Sequence, residues 1–445
     1  MKKWLAAVLF VCLFVFAGCS RPEPEETVPA ETETESVEAP TEEETSGIKV
    51  IENAGPDKDK TISLRIVDRD NPALPGRVPE KVRGIYISGP MAGSPDLFQN
   101  ILDSLDGTEI NTVVIDLKDD QGRITCNMDT PVVDEIDACR AYVSDMPGLI
   151  SSLKERGLYV IARVVAFRDP YLAEMKPEWS LHLADGSLYR DRQGMAWVDP
   201  YHEEVWEYLV EVGTEAKEMG FDEVQFDYIR FSTEGTMKDV VFDEEITQGR
   251  SKTDVITEFV KYAYEHLASQ GLFVSADVFG TIIGSEIDAN AVGQIYTEMA
   301  KHLDYICPMI YPSHYGPGNF GIEYPDTKPY ETILAALTKS RTVLDQAAEE
   351  DGHVSNQAIV RPWLQDFTAS YLGEGKYIPY GEDEVELQIQ AVKDAGYDEW
   401  MLWSAANRYH VKQVVEETES ADEAGVAEDG VNADGDTGAE ETTAQ

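Results

Sequence analysis

Three aspartates interrupt apolar runs where a charge is costly. They stand in Val114-Ile115-Asp116-Leu117, in Gln225-Phe226-Asp227-Tyr228-Ile229-Arg230-Phe231, and in Ser275-Ala276-Asp277-Val278-Phe279-Gly280. A buried carboxylate must be paired or hydrogen-bonded, and one at a strand end facing a cavity is placed for chemistry. Paired carboxyls are what glycosidic cleavage uses: one donates a proton to the leaving oxygen, and the other acts as nucleophile or activates water. Tyr311, Trp363 and Trp403 supply the flat apolar faces on which sugar C–H groups stack. Asp227 and Asp277 are therefore the expected catalytic pair, with Asp116, Arg163, Arg230, Tyr311, Trp363 and Trp403 as expected substrate-binding or positioning groups. Arg163 or Arg230 would hold Asp227 ionised, while a less solvated Asp277 would keep its proton, although either aspartate fits either role. Plainer readings stand beside these. Asp227 and Arg230 also fit a structural ion pair, Asp116 and Lys118 an internal one, and Tyr311 and Trp403 simple packing layers. His314 fits a surface loop as well as a sugar contact.

Such groups need a scaffold, and the sequence spells one out. Eight apolar strand-like runs follow one another: Gly84–Ser88, Thr112–Leu117, Tyr159–Phe167, Glu223–Phe231, Phe273–Phe279, Tyr305–Tyr311, Ala358–Leu364 and Glu399–Ser404. Segments of helical period lie between them, as in Val205-Leu209-Val212-Ala216-Met219 and Val255-Phe259-Tyr262-His266. Gly157, Gly220, Gly271 and Gly396 stand where a helix should close before the next strand. Repeated βα units with near-continuous apolar strands predict a parallel sheet, and eight of them predict a closed (β/α)8 TIM barrel of the α/β class. That fold carries its sites at the C-terminal ends of the strands. Every run ends in polar or aromatic groups: Ser88; Asp116, Lys118, Asp119 and Asp120; Arg163 and Phe167; Asp227, Tyr228 and Arg230; Asp277; Met309, Tyr311 and His314; Arg361, Trp363, Gln365 and Asp366; Trp403, Ser404 and Asn407. Neighbouring strands lie about 4.8 Å apart. Asp227 and Asp277 on adjacent strands could thus meet at the ~5–5.5 Å of a retaining enzyme or splay to an inverting gap.

The ends of the chain predict export. Lys2 and Lys3 precede an apolar run from Trp4 to Ala17, too short to span a bilayer and laid out as a secretory signal, residues 1–18. Phe16-Ala17-Gly18-Cys19 then has small residues before a cysteine, which resembles a bacterial lipobox with Cys19 as the lipidated residue; the alternative is an ordinary signal peptide. The expected location is extracytoplasmic, with a lipid anchor in the membrane. An acidic tether over 19–47 and an acidic tail over 416–445 are expected to be disordered. Residues 48–81 read as an extended lead-in and 82–415 as the barrel. The tether and tail carry 21 acids and one base of a chain whose net charge is −48. The span 48–415 still has 33 bases against 63 acids, a net −30. Phosphate backbones want basic patches, so nucleic acid is excluded as an expected partner. Cys126, Cys139 and Cys307 form no CxxC motif, and no HExxH is present, so neither metal nor cofactor is expected. Cys126 and Cys139 could bridge, and Cys307 reads as core.

Several of these segments together carry a family resemblance: Val82-Arg83-Gly84-Ile85-Tyr86, Val114 to Gly122, Ala196-Trp197-Val198-Asp199-Pro200, Gln225 to Phe231, Ser275 to Gly280, and Pro308 to Tyr315. They resemble the DUF4015 family, a glycoside-hydrolase-type domain of bacterial cell-surface proteins, over roughly residues 82–408. The resemblance implies a TIM barrel distantly akin to α-amylase-like glycosidases. Asp227 matches the strand-four nucleophile of the amylases, whereas strand five offers Asp277 in place of their glutamate. The expected function is an extracytoplasmic glycoside hydrolase acting on a cell-surface or environmental polysaccharide by two carboxylates. The alternative is a non-catalytic glycan-binding barrel lipoprotein. A solute-binding lipoprotein would need two lobes, which eight sequential βα units disfavour.

Overall fold

The computed structural model describes residues 77, 79–353 and 357–414. The expected signal, Cys19 anchor, tether and tail, and nearly all of the lead-in, lie outside the described residues. Eight strands form the expected barrel: β1 (Arg83–Ile87), β2 (Thr112–Lys118), β3 (Tyr159–Val165), β4 (Glu223–Asp227), β5 (Phe273–Phe279), β6 (Tyr305–Met309), β7 (Trp363–Gln365) and β8 (Trp400–Trp403). Each pairs in parallel with the next, and β1 pairs with both β8 and β2, which closes the sheet into a (β/α)8 TIM barrel. Among the helices that connect the strands are α1 (Pro95–Leu105), α2 (Met146–Glu155), α3 (Glu203–Met219), α4 (Lys252–Ala268), α5 (Tyr296–Ala300), α6 (Pro329–Glu350) and α7 (Glu382–Asp394). Their apolar faces meet the outward side chains of the strands in one continuous core. At the junction of α3 and β4, Gly220 takes φ +100° and its N–H closes the helix onto Ala216 and Lys217. A side chain there would be strained.

The strands differ from their expected spans for identifiable reasons. The seventh run breaks into Ile359–Val360 and β7, because Pro362 has no N–H to give the ladder. The fourth run stops at Asp227, where Tyr228 turns into the left-handed region at φ +54°. The β2–β3 register slips between Asp116 and Lys118. This slip overturns the expected Asp116–Lys118 pair. Residues two apart share a face in a regular strand, but the irregularity sends them to opposite sides. Lys118 instead donates to the Val165 carbonyl at 2.6 Å and pairs with Asp169 at 2.7 Å, outside the barrel bore.

Inside the bore the side chains form layers. Arg361 belongs to the N-terminal layer and not to the mouth where its run was expected to place it. It donates to Glu223, at the start of β4, at 2.9 and 3.0 Å and to Glu399 at 2.9 Å. Above it Gln225 donates to the Cys307 and Met401 sulfurs at 3.4 and 3.7 Å. Cys126, Cys139 and Cys307 are all unbridged thiols.

A long excursion follows β3, and its His182–Leu183 strand pairs with Val240–Val241 from the loop after β4. Asp199 closes a turn in this excursion by accepting the Tyr201 N–H at 3.1 Å. Burial pushes its carboxyl up to about 6, against the turn hydrogen bond and nearby cations. Such a group favours folding while protonated, and that contribution disappears as pH rises through 6. Asp199→Asn keeps the acceptor without the charge. It should gain roughly 2–3 kcal/mol over the parent at pH 8 and nothing near pH 4. Urea unfolding at both pH values measures this; an equal difference at the two would refute it.

Candidate active site

The layer at the C-terminal mouth is built around Arg163. Its position on β3 places it beside Asp116 of β2, the pair being in register. Arg163 is 1 % exposed and donates Nη1 to Asp116 Oδ1 at 2.7 Å and Nη2 to Asp227 Oδ2 at 2.7 Å. Its Nε reaches the same Asp227 oxygen at 3.0 Å, and Nη1 and Nη2 each reach Asp120 Oδ2 at 3.3 Å. One guanidinium thus donates to three carboxyl groups, which only a planar five-donor fork can do. The expected Asp227–Arg230 structural pair is absent, because Asp227 pairs with Arg163. Asp227 Oδ1 accepts its neighbour's Tyr228 N–H at 2.6 Å. That bond holds the one bulky residue of the mouth with positive φ, a conformation that costs energy for a side chain of this size.

Asp116 stands behind the fork. Its Oδ2 accepts the Tyr86 hydroxyl at 2.6 Å, and burial pushes its carboxyl up to about 6 although Arg163 opposes this. Asp120 behaves oppositely. Burial works against its charge, but Arg163, then Arg168 and Lys118, bring its carboxyl below the usual range.

Asp277 projects from β5. Register pairs Gln225 with Ser275 and Phe226 with Ala276, so Asp227 and Asp277 are the next residues along directly adjacent strands. Asp277 is 2 % exposed and has no cation on it; its Oδ1 accepts the Trp363 indole N–H at 2.6 Å. Burial pushes its carboxyl well above the ordinary range, and the charge of Asp227 adds to the shift. Two aspartates at one level thereby sit in different surroundings: Asp227 is ion-paired to Arg163, while burial raises the Asp277 carboxyl.

These groups open on a cavity of about 170 Å³ lined by Asp120, Arg163, Asp227, Tyr228, Arg230, Asp277, Phe279, Met309, Tyr311, His314, Trp363 and Trp403. All the expected site residues of the barrel line it except Asp116, which acts through Arg163 and Tyr86. The aromatic side is fixed by packing. Trp403 stacks on Tyr86 at 4.1 Å and meets Trp363 edge-on at 5.7 Å, while Tyr311 meets His314 at 5.0 Å. Burial lowers the His314 pKa, which leaves a neutral imidazole in the wall. Two larger hollows lie elsewhere on the surface, one of about 580 Å³ beside Arg123 and Arg140 and one of about 490 Å³ beside Arg250 and Thr253, and neither is lined by the paired aspartates. The mouth cavity falls below the ~300–1,000 Å³ of drug-sized pockets and suits a single ring. Among the described residues no three His, Cys, Asp or Glu side chains cluster as a metal site.

Asp120 is the lining carboxylate that the sequence reading did not assign to the site. Its signal is the Asp119-Asp120-Gln121-Gly122 turn. Asp119 Oδ1 accepts the Gln121 and Arg123 N–H groups at 2.9 Å, and Gly122 takes φ +76°. Asx turns of this kind reverse the chain, here returning Asp120 over the mouth.

A crystal structure of a hypothetical protein from Ruminiclostridium thermocellum is 38 % identical, over 44 % of this chain and 97 % of that one, with a TM-score of 0.40. The glycoside hydrolase domain of PgaB (BpsB) from Bordetella bronchiseptica is 14 % identical over 74 % of this chain and 95 % of its own, with a TM-score of 0.48. The spore cortex-lytic enzyme SleL from Bacillus megaterium is 9 % identical over 76 % and 77 % of the two chains, with a TM-score of 0.41. No curated protein matches the chain in sequence. A family model does match across the whole barrel, residues 84–409, and by it the chain belongs to the DUF4015 family, described as "Putative glycosyl hydrolase domain".

Proposed function

We propose that this barrel is a retaining glycoside hydrolase, carried outside the cytoplasm on a Cys19 lipid anchor and acting on a polysaccharide. The observation that carries the reading is the pair of aspartates in one small aromatic-walled cavity, one ion-paired to Arg163 and one buried without an ion pair, its carboxyl raised by that burial. Asp277 Oδ1 is occupied by the Trp363 N–H, so the proton sits on Oδ2, from which it passes to the glycosidic oxygen as the bond to the anomeric carbon breaks. Asp227 attacks that carbon to give a glycosyl ester. Water then enters, deprotonated by the Asp277 carboxylate, and hydrolysis restores both groups. Retention is favoured because side chains level on adjacent strands stand about 4.8 Å apart, near the ~5–5.5 Å carboxyl spacing of retaining enzymes. The Lys2-Lys3 start, the apolar run and Ala17-Gly18-Cys19 support the anchored location.

The test is release of reducing ends from a polysaccharide panel. Asp277→Asn should lose roughly 10²–10⁴-fold in kcat for native glycosides. An aryl glycoside, whose leaving group needs no proton, should lose far less in the bond-breaking step. Activity of the parent should fall as pH rises through the raised Asp277 pKa, placing the alkaline limb above the usual carboxylate range, and Asp277→Asn should remove that limb. Glycan binding without turnover, indifferent to neutralising both aspartates, would replace this reading with a binding barrel.

A further inference from the structure

Arg230 is the cation of the mouth whose counter-charges, Asp227 and Glu234, act on it without forming an ion pair. Arg163 serves three carboxylates, and Arg168 pairs with Asp191 at 3.1 Å and Asp120 at 3.6 Å. Arg230, among the described residues, makes no ion pair. Its one hydrogen bond runs from Nη1 to the Phe231 carbonyl at 3.0 Å. Its guanidinium is walled by three rings, with centroids 4.4 Å away in Phe279, 5.0 Å in Trp197 and 5.1 Å in Tyr228. Nε and Nη2 donate to no described protein group, yet neither is sealed from solvent, and the side chain lines the cavity of the two aspartates. The nearby carboxylates Asp227 and Asp120 are already held by Arg163.

An arginine cannot shed its charge, and a desolvated unpaired one is destabilising. The aromatic walls offset part of this cost and fix the plane of the fork. What remains is a pair of parallel N–H donors, Nε and Nη2, without a described protein acceptor on a side chain that lines the sugar cavity, a fork that a planar two-oxygen anion accepts bidentately. The geometry points to a sugar bearing a carboxylate, a uronic acid, as the ring that occupies this cavity, its carboxylate received by Arg230. The inference rests on the reading of the cavity as a sugar site, and it adds what that reading leaves open, the class of sugar. The negative field of the surrounding domain does not forbid an acidic substrate, since at physiological salt it is screened beyond roughly 8 Å.

The test uses the full-length protein and paired oligosaccharides: oligogalacturonate, oligomannuronate and hyaluronan fragments, each beside the same chain with its carboxylates chemically reduced to neutral sugars. Binding is measured by calorimetry and cleavage by reducing-end release. For at least one pair the parent should prefer the acidic member by roughly 30-fold or more, as expected for a charge-assisted bidentate contact. Arg230→Gln should bring that ratio to near one, and Arg230→Lys should keep part of it. Arg230→Gln should also melt at or above the temperature of the parent, because it removes an unpaired charge; a lower Tm would assign Arg230 a structural role instead. A parent that treats both members of every pair alike, or that binds none of them, overturns the inference. So does an acid preference that survives Arg230→Gln. Cleavage of neutral glycans with no acid preference would sink the uronic-acid inference and leave the hydrolase standing. Arg230-dependent binding of acidic chains without cleavage would do the reverse.

Discussion

On the proposed mechanism Asp227→Asn should lower kcat by more than roughly 10⁴-fold on any glycoside the parent cleaves, a loss of about 5.5 kcal/mol or more in transition-state stabilisation. An amide cannot form the glycosyl ester, and no neighbour replaces it. Asp116 is behind Arg163, Asp120 is held on the same fork, and Asp277 is needed as the acid. The fold should survive at a cost. Asp227 receives donors on both oxygens, from Arg163 on Oδ2 and from Tyr228 N–H on Oδ1. An Asn must turn its NH2 toward one of these donors, which leaves that donor unmet and costs roughly 1–3 kcal/mol. The aromatic side of the cavity contacts neither oxygen, so sugar affinity should stay within a few-fold. Turnover by a purified Asp227→Asn protein within tenfold of the parent would exclude Asp227 as nucleophile. Azide is a useful second probe: a small anion can enter the space beside an Asp227→Ala side chain and restore cleavage with inversion, an outcome a merely positioning residue would not give.

Much of this was legible in the chain, and the reason is periodicity. Eight apolar runs closed by polar ends are what a parallel barrel imposes, so Asp227, Asp277, Arg163, Trp363 and Trp403 were locatable from position alone. What escaped depends on single residues breaking that period. The slip between Asp116 and Lys118 reverses the face of the lysine, and no propensity announces it. Pro362 could have announced the break in the seventh strand, but the run from Ala358 to Leu364 was read as continuous, and Arg361 was assigned to the wrong end because a charge in a barrel strand reads the same at either mouth. Only Glu223 and Glu399, 138 and 38 residues away, decide that it points down. Partner choice among charges was the least legible feature. Asp227 has Arg230 three residues on, but a strand that turns left-handed at Tyr228 sends the arginine into the cavity wall and leaves the carboxylate to Arg163, 64 residues earlier. The short α5, five residues long, has too few turns to show a helical period at all.

Arg163 is accordingly where a single substitution should do most to the fold. Arg163→Met preserves an apolar stem of similar length and removes the charge shared by Asp116, Asp120 and Asp227. Breaking a buried ion pair from one side typically costs roughly 3–5 kcal/mol, because the partner stays buried without compensation. Here two buried partners, Asp116 and Asp227, are stranded, while the part-exposed Asp120 keeps Arg168 at 3.6 Å. The loss should depend on pH with a definite sign. Without Arg163 the carboxyls at the mouth are displaced upward, and a carboxyl raised in the folded state contributes stability below its unfolded pKa of about 3.9 that disappears as pH rises through the folded value. The deficit relative to the parent should therefore be widest at pH 8 and narrow toward pH 4. Arg163→Lys keeps a charge but gives one ammonium where a fork spans three carboxylates, so it should fall between the two. Adding Asp116→Asn to Arg163→Met should recover part of the loss, a coupling that two independent sites would not display. Urea unfolding of the parent, the two single variants and the double variant at both pH values tests the arrangement. An Arg163→Met protein within 1 kcal/mol of the parent at pH 8, or one whose deficit is the same at pH 4, would mean that the mouth carboxylates are held by something other than this guanidinium.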